Sequence, residues 1–249
     1  MKRRSFHINL TKALTAYLLL DAADATNAFA RKIRPNIDHW ANRLNIICSD
    51  LKSNTISPAQ WQDEIYDLFS SIPLEDILGF IDFERLTRGF EFPDLGVNTR
   101  MVKYPEIEGL EEVVYVKKIF GLKKDRAIIP HGHGNMASSH LILQGDFHLR
   151  QYDRVHSDDS SLLVRPTVDK KITSGAHSSI SDERNNVHWF IAGSNHSFTF
   201  DVIVLDLNGR KYEIDNLDME AATDAGDGLI RVPVMDVDTA LKKYGKHHH

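Results

Sequence analysis

The chain has 249 residues, 42% of them hydrophobic and 26% charged, with a formal net charge of −5. That length can bury a substantial core in one large domain, or in a main domain with an appendage, and the mild acidity gives no reason to expect nucleic acid or an anionic membrane as partner. Cys48 is the single cysteine, so no intramolecular disulfide can form, and no stretch is long and apolar enough to span a membrane.

The first thirty or so residues read in two ways. Lys2-Arg3-Arg4-Ser5-Phe6, the apolar run from Ala13 to Leu20 and Ala28-Phe29-Ala30 imitate an export leader with paired arginines, which would send the protein to the periplasm. Asp21 and Asp24 interrupt that run, and Leu10, Leu14, Tyr17, Leu18, Ala22, Ala25, Phe29 and Ile33 recur at helical spacing, which describes a structural helix in a cytoplasmic protein.

Residues 1–95, with the candidate leader at 1–30, are expected to form a helical N-terminal segment. Ile37, Trp40, Ala41, Leu44, Ile47 and Cys48 make one apolar stripe after Pro35. Ser57 can cap a next helix with Pro58 in its first turn, carrying Trp61, Ile65, Leu68 and Phe69 on its buried side. A third begins at Pro73 and runs through Ile77, Phe80 and Ile81. From residue 96 to 214 the texture changes to short strands with turn punctuation, which predicts a mainly β, antiparallel sandwich or barrel. Asn208-Gly209 between Leu207 and Arg210 predicts a hairpin. Residues 215–246 read as a surface tail with a last helix near Asp238 to Tyr244, and His247, His248 and His249 as a purification-tag remnant.

The chemistry concentrates between His131 and Gly145. His131 and His133 are two residues apart, so on a strand both imidazoles share a face and can reach one metal ion. His140 follows within the same segment, and His188 waits downstream. Imidazole nitrogens suit iron, copper, nickel or zinc better than magnesium or calcium, and the lack of cysteine ligands argues against a thiolate-bound structural zinc. Arg100 is a candidate clamp for a substrate carboxylate. Tyr115 and Lys117 alternate with Val114 and Val116, so one face of that strand is polar or lines a cavity.

The stretch His131-Gly132-His133, six further residues to His140 and the closing Gly145 resembles the first motif of the cupin superfamily, in which H-x-H is followed by a glutamate and a glycine. Ser138 stands at the glutamate position, so the usual carboxylate ligand is missing. Asp182 to His188 resembles the second motif, with asparagines where glycine is usual. His131-Gly132-His133-Gly134-Asn135 and Leu143-Gln144-Gly145 resemble the three-histidine thiol dioxygenases within that superfamily, although their Ser-His-Tyr triad has no counterpart at Asp201 to Leu205. The resemblance implies a cupin-type barrel over residues 96–214, with His131, His133 and His188 as metal ligands. His140 becomes a fourth ligand or a proton-handling group, and Arg100 orients the substrate. It further implies Fe(II) as first choice, with copper, nickel, zinc or manganese as alternatives. A small anionic substrate such as a thiol or carbonyl compound, O2 as co-substrate, and pairing as a homodimer complete the expectation. Alternatives are a non-catalytic binding or sensing protein and a metal-dependent lyase or isomerase.

Overall fold

The computed structural model describes residues 36–246. The expected helix or leader at residues 1–30 and the histidines at 247–249 lie outside the described residues. Residues 36–52 are helical (α1), followed by α2 (Pro58–Ser70), α3 (Leu74–Phe80) and α4 (Phe83–Thr87). The start of α2 follows from its chemistry. The Ser57 side chain accepts from the Gln60 backbone N–H, the Gln60 side chain accepts from the Ser57 N–H, and Pro58 occupies the first turn, where its missing N–H costs nothing. None of the helices among the described residues is long and apolar enough to cross a membrane.

Two antiparallel sheets follow. One orders β1 (Asn98–Met101), β2 (Val116–Leu122), β9 (Ser197–Val204), β4 (Ala137–Gln144) and β7 (His177–Ile180). The other orders β10 (Glu213–Leu217), β3 (Ala127–Gly134), β8 (Val187–Ala192), β5 (Asp146–Ser157), β6 (Ser161–Thr173), β12 (Leu229–Met235) and β11 (Thr223–Gly226). Without the outermost strands, β2 to β9 cross from one sheet to the other at every step except the β5–β6 hairpin, giving the order β2-β9-β4-β7 over β3-β8-β5-β6. That is the strand order of a jelly roll, the two-sheet architecture used by cupins.

The two faces of the five-stranded sheet have different jobs. On β4, Ala137, Leu141 and Leu143 join Phe198, Phe200, Val202 and Val204 of β9 beneath the helices, where Trp61, Ile65 and Phe69 of α2 complete one core. Fully burying a side chain such as Phe200 or Ile65 contributes roughly 1.5–3 kcal/mol. The alternate residues of the same strands, among them Ser138, His140, Thr199 and Asp201, therefore face inward between the sheets. Gly145, which ends β4, has φ +79, and a Cβ there would lie 2.5 Å from Ser197 Oγ. Glycine is thus required for the turn that returns the chain to the other sheet.

Two expectations are corrected. Asn208-Gly209 does not close a hairpin: Leu207–Gly209 forms a 3-10 turn that carries the chain from β9 to β10 in the opposite sheet. Residues 215–246 are not a surface tail. The boundary at 214 cuts β10, whose Glu213 to Asn216 pair with β3, and β12 pairs with both β6 and β10 while burying Val232 completely. α5 (Val237–Tyr244) forms where a last helix was expected, but it packs Ala240 and Tyr244 against Ala127, Ile129, Trp189 and Ile191 on the outer face of the seven-stranded sheet. The cavity-lining face expected around Tyr115 and Lys117 is present on the helix-covered side: Lys117 borders a cleft with Tyr104 and Leu110, its ammonium 4.7 Å from the Tyr104 ring centroid, and Tyr115 belongs to the adjoining core.

Candidate metal centre

His131 and His133 project from β3 into the space between the sheets, and His188 projects from β8 directly opposite His131. A register shift between Ile128 and His131 sets this up. It moves the inward face from even to odd positions, so Ile128, His131 and His133 all line one cavity while Ile129 packs outward. Between the two histidines, Gly132 points to the other face. A Cβ at that position would meet Leu162, Asn186 and Val187 at 3.1–3.2 Å, so the residue stays small. Asn186, fully buried, donates to the His133 carbonyl at 2.7 Å and accepts from the His133 N–H at 3.2 Å, locking β3 to the turn that precedes β8. Asn185 in that turn has φ 54, a conformation asparagine tolerates.

One nitrogen from each of His131, His133 and His188 falls in a group whose members all lie within 4.8 Å of one another. Ring centroids are 4.5 Å apart for His131 and His133, 4.3 Å for His131 and His188, and 5.0 Å for His133 and His188. His131 Nδ1 lies 2.7 Å from the Ile129 carbonyl, which can only accept, so Nδ1 carries the proton and Nε2 keeps its lone pair. Both ring nitrogens of His133 and Nδ1 of His188 are buried without a hydrogen-bond partner. Burial holds the His131 ring down to about 4 and those of His133 and His188 well below the usual histidine range, with the neighbouring imidazoles adding to the effect. Neutral imidazoles with unsatisfied buried nitrogens are what a transition-metal ion needs, and orphaned polar atoms of this kind are costly otherwise. The three residues can hold a metal ion.

His140 stands against this group from the opposite sheet, its ring centroid 4.9 Å from that of His188. It lies directly across from Asp201 of β9, and Nδ1 donates to Asp201 Oδ2 at 2.7 Å. Thr199 donates to the other oxygen, Oδ1, at 2.6 Å. The Nε2 atom of His140 is buried and unpartnered, on the wall of the same cavity. Asp201 was not singled out from the sequence. Its signal was there, since a lone aspartate in Phe198-Thr199-Phe200-Asp201-Val202 breaks an apolar strand, but its partner is 61 positions away.

Arg100 is placed elsewhere, which corrects its expected role. It pairs across β1–β2 with Ile119, whose side chain belongs to the helix-facing core. Its guanidinium donates to the carbonyls of Leu86, Arg88 and Gly89 at 2.7–3.0 Å and lies 4.9 Å from the Phe90 ring centroid. The arginine secures the end of α4 instead of reaching the histidines. The remaining cavity wall is largely apolar, including Val116, Phe120, Met136, Ile203 and Leu205, and encloses about 260 Å³. Ser138, at the position where a glutamate was expected to be missing, is buried with its hydroxyl unpartnered on this wall.

No family model matches the chain, and no curated protein does. Among solved structures it is similar to KdgF from Halomonas sp., at 12% identity and TM-score 0.33 over 47% of this chain and 86% of that one. It is likewise similar to a cupin superfamily protein from Desulfitobacterium hafniense, at 12% identity and TM-score 0.32 over 49% and 88%. Procruciferin, an 11S globulin from Brassica napus, is matched at 10% identity and TM-score 0.36 over 51% of this chain, which spans 29% of the globulin. The jelly-roll strand order and the buried histidine group on its inner wall together fit a cupin.

Proposed function

We propose that the protein is a metal-dependent cupin oxygenase, a mononuclear non-haem Fe(II) dioxygenase acting on a small anionic metabolite such as a thiol or carbonyl compound. The observation that carries this reading is the donor set: three convergent imidazoles with no carboxylate among them. Such a set leaves the charge of a divalent ion uncompensated by protein and leaves coordination positions open. Bound there, Fe(II) supplies the point at which an anionic substrate and O2 can meet.

The chain's own residues supply the rest. The apolar wall lowers the local dielectric, which strengthens electrostatic interactions beside it. His140 holds or accepts a proton at Nε2, beside the reacting groups, while Asp201 fixes its tautomer through Nδ1 and Thr199 fixes the carboxylate. The same pair supports a second reading, lyase or isomerase chemistry in which proton transfer suffices and O2 plays no part.

Anaerobic loading with Fe(II), followed by metal analysis and oxygen-uptake assays against thiols and 1,3-diketones, tests the first reading. Stoichiometric iron and substrate-dependent uptake are expected. Stoichiometric metal with no uptake, but with exchange of a substrate C–H proton in deuterated water, favours the second reading. No retained transition metal leaves only a binding or sensing role.

A further inference from the structure

β2 presents Val116, Lys118 and Phe120 to the cavity, and among the described residues no other lysine or arginine lines it. Lys118 sits directly opposite Asp201 on β9, and Asp201 directly opposite His140 on β4, so the three form one polar row across the sheet. The carboxylate in the middle is committed on both sides, with Oδ1 to Thr199 and Oδ2 to His140. Among the described residues Lys118 makes no ion pair and no side-chain hydrogen bond, and its ammonium lies 5.1 Å from the Phe120 ring centroid. A cation thus stands on a mostly apolar wall without an anion of its own.

We propose that Lys118 anchors the anionic end of the substrate, and that the cavity selects a short carboxylate with an apolar body. The ammonium is a compact charge on a flexible stem, suited to a single carboxylate that can approach from several directions. Apolar walls raise the value of that charge-assisted contact above what it has in water. The rest of the ligand meets side chains such as Ile128, Met136, Ile203 and Leu205, which offer no polar partner. A volume of about 260 Å³ is below the roughly 300–1,000 Å³ of pockets for drug-sized ligands, which sets the limit on chain length. The role expected of Arg100 falls to the strand next to it, on the opposite face of the sheet.

The inference extends the oxygenase reading by naming the substrate class, and binding to metal-free protein separates the two. Calorimetric titration of the full chain, metal-free and Fe(II)-loaded under argon, with hexanoate and benzoate against their neutral amides measures it. Wild-type protein should prefer each carboxylate over its amide on the order of tenfold in the metal-free form. Lys118→Met and Lys118→Gln should erase that preference with metal content unchanged, and Lys118→Arg should keep most of it. Equal binding of acid and amide to metal-free wild type overturns the assignment, as does failure of both to bind, or a preference that survives in either neutral variant. Loss of metal retention or oxygen uptake would instead strike the oxygenase reading and leave these ratios as measured.

Discussion

The seven-stranded sheet contributes three imidazoles that have no carboxylate beside them, whereas the five-stranded sheet contributes one imidazole bound to a carboxylate. The rings touch across the cavity, at 4.9 Å between the centroids of His140 and His188, yet their partners separate their chemistry. A buried imidazole without an acid is held neutral and offers a lone pair. An imidazole whose Nδ1 is engaged by Asp201 has its tautomer fixed and its other nitrogen aimed for proton transfer. Residue type alone does not assign a role here; the strand opposite does.

The largest expected break in this division comes from His188→Ala. Removing one of three ligands should abolish stoichiometric metal retention after dialysis, and unchanged metal content would take His188 out of the site. His140→Gln is the sharper test between the two walls. The variant should keep its metal while turnover falls on the order of 10²–10⁴-fold, the usual contribution of general acid–base catalysis. Metal lost together with His140 would make it a fourth ligand and collapse the distinction.

Acid should expose the three-histidine wall in the metal-free protein. Burial holds the folded His131 ring down to about 4, below the roughly 6.5 of a free histidine, so the unfolded chain binds more protons between those values. Stability should therefore be intact above about pH 6.5 and decline as pH falls toward about 4, by up to ~1.4 kcal/mol per pH unit for each such histidine. Thermal melts at pH 7, 6 and 5 would show it, with a shallower slope for His131→Phe. A pH-independent melting temperature over that window would contradict neutral burial of these rings. The smallest effect is expected from Asp201→Asn, about 10–100-fold on turnover, the cost of losing an outer partner that orients a functional histidine. Steady-state rates with metal content measured in parallel would separate this from a folding defect, and a wild-type rate would remove Asp201 from the proton path.

The helices were legible because their signals are local. Ser57, Pro58 and Gln60 announce a capped start within four positions, and the Trp61, Ile65, Phe69 spacing announces the buried side. The β texture was equally readable, but the hairpin expected at Asn208-Gly209 and the tail expected after residue 214 were not what formed. Turn chemistry is compatible with any partner, and only the long-range pairing of β10 and β12 decides that the segment belongs to a sheet.

Within the site, the two-residue spacing of His131 and His133 suffices to bring two ligands together, because side chains on a strand repeat every second position. That much the amino-acid order determined alone, together with the missing carboxylate at Ser138. Which sheet faces which was outside its reach. The register shift after Ile128, the row Lys118–Asp201–His140 and the turning away of Arg100 all depend on pairings between strands far apart in the chain. A one-residue change of register sends a side chain to the opposite face of a sheet, so tertiary pairing, not residue identity, placed the lysine on the cavity wall and the arginine under the helices.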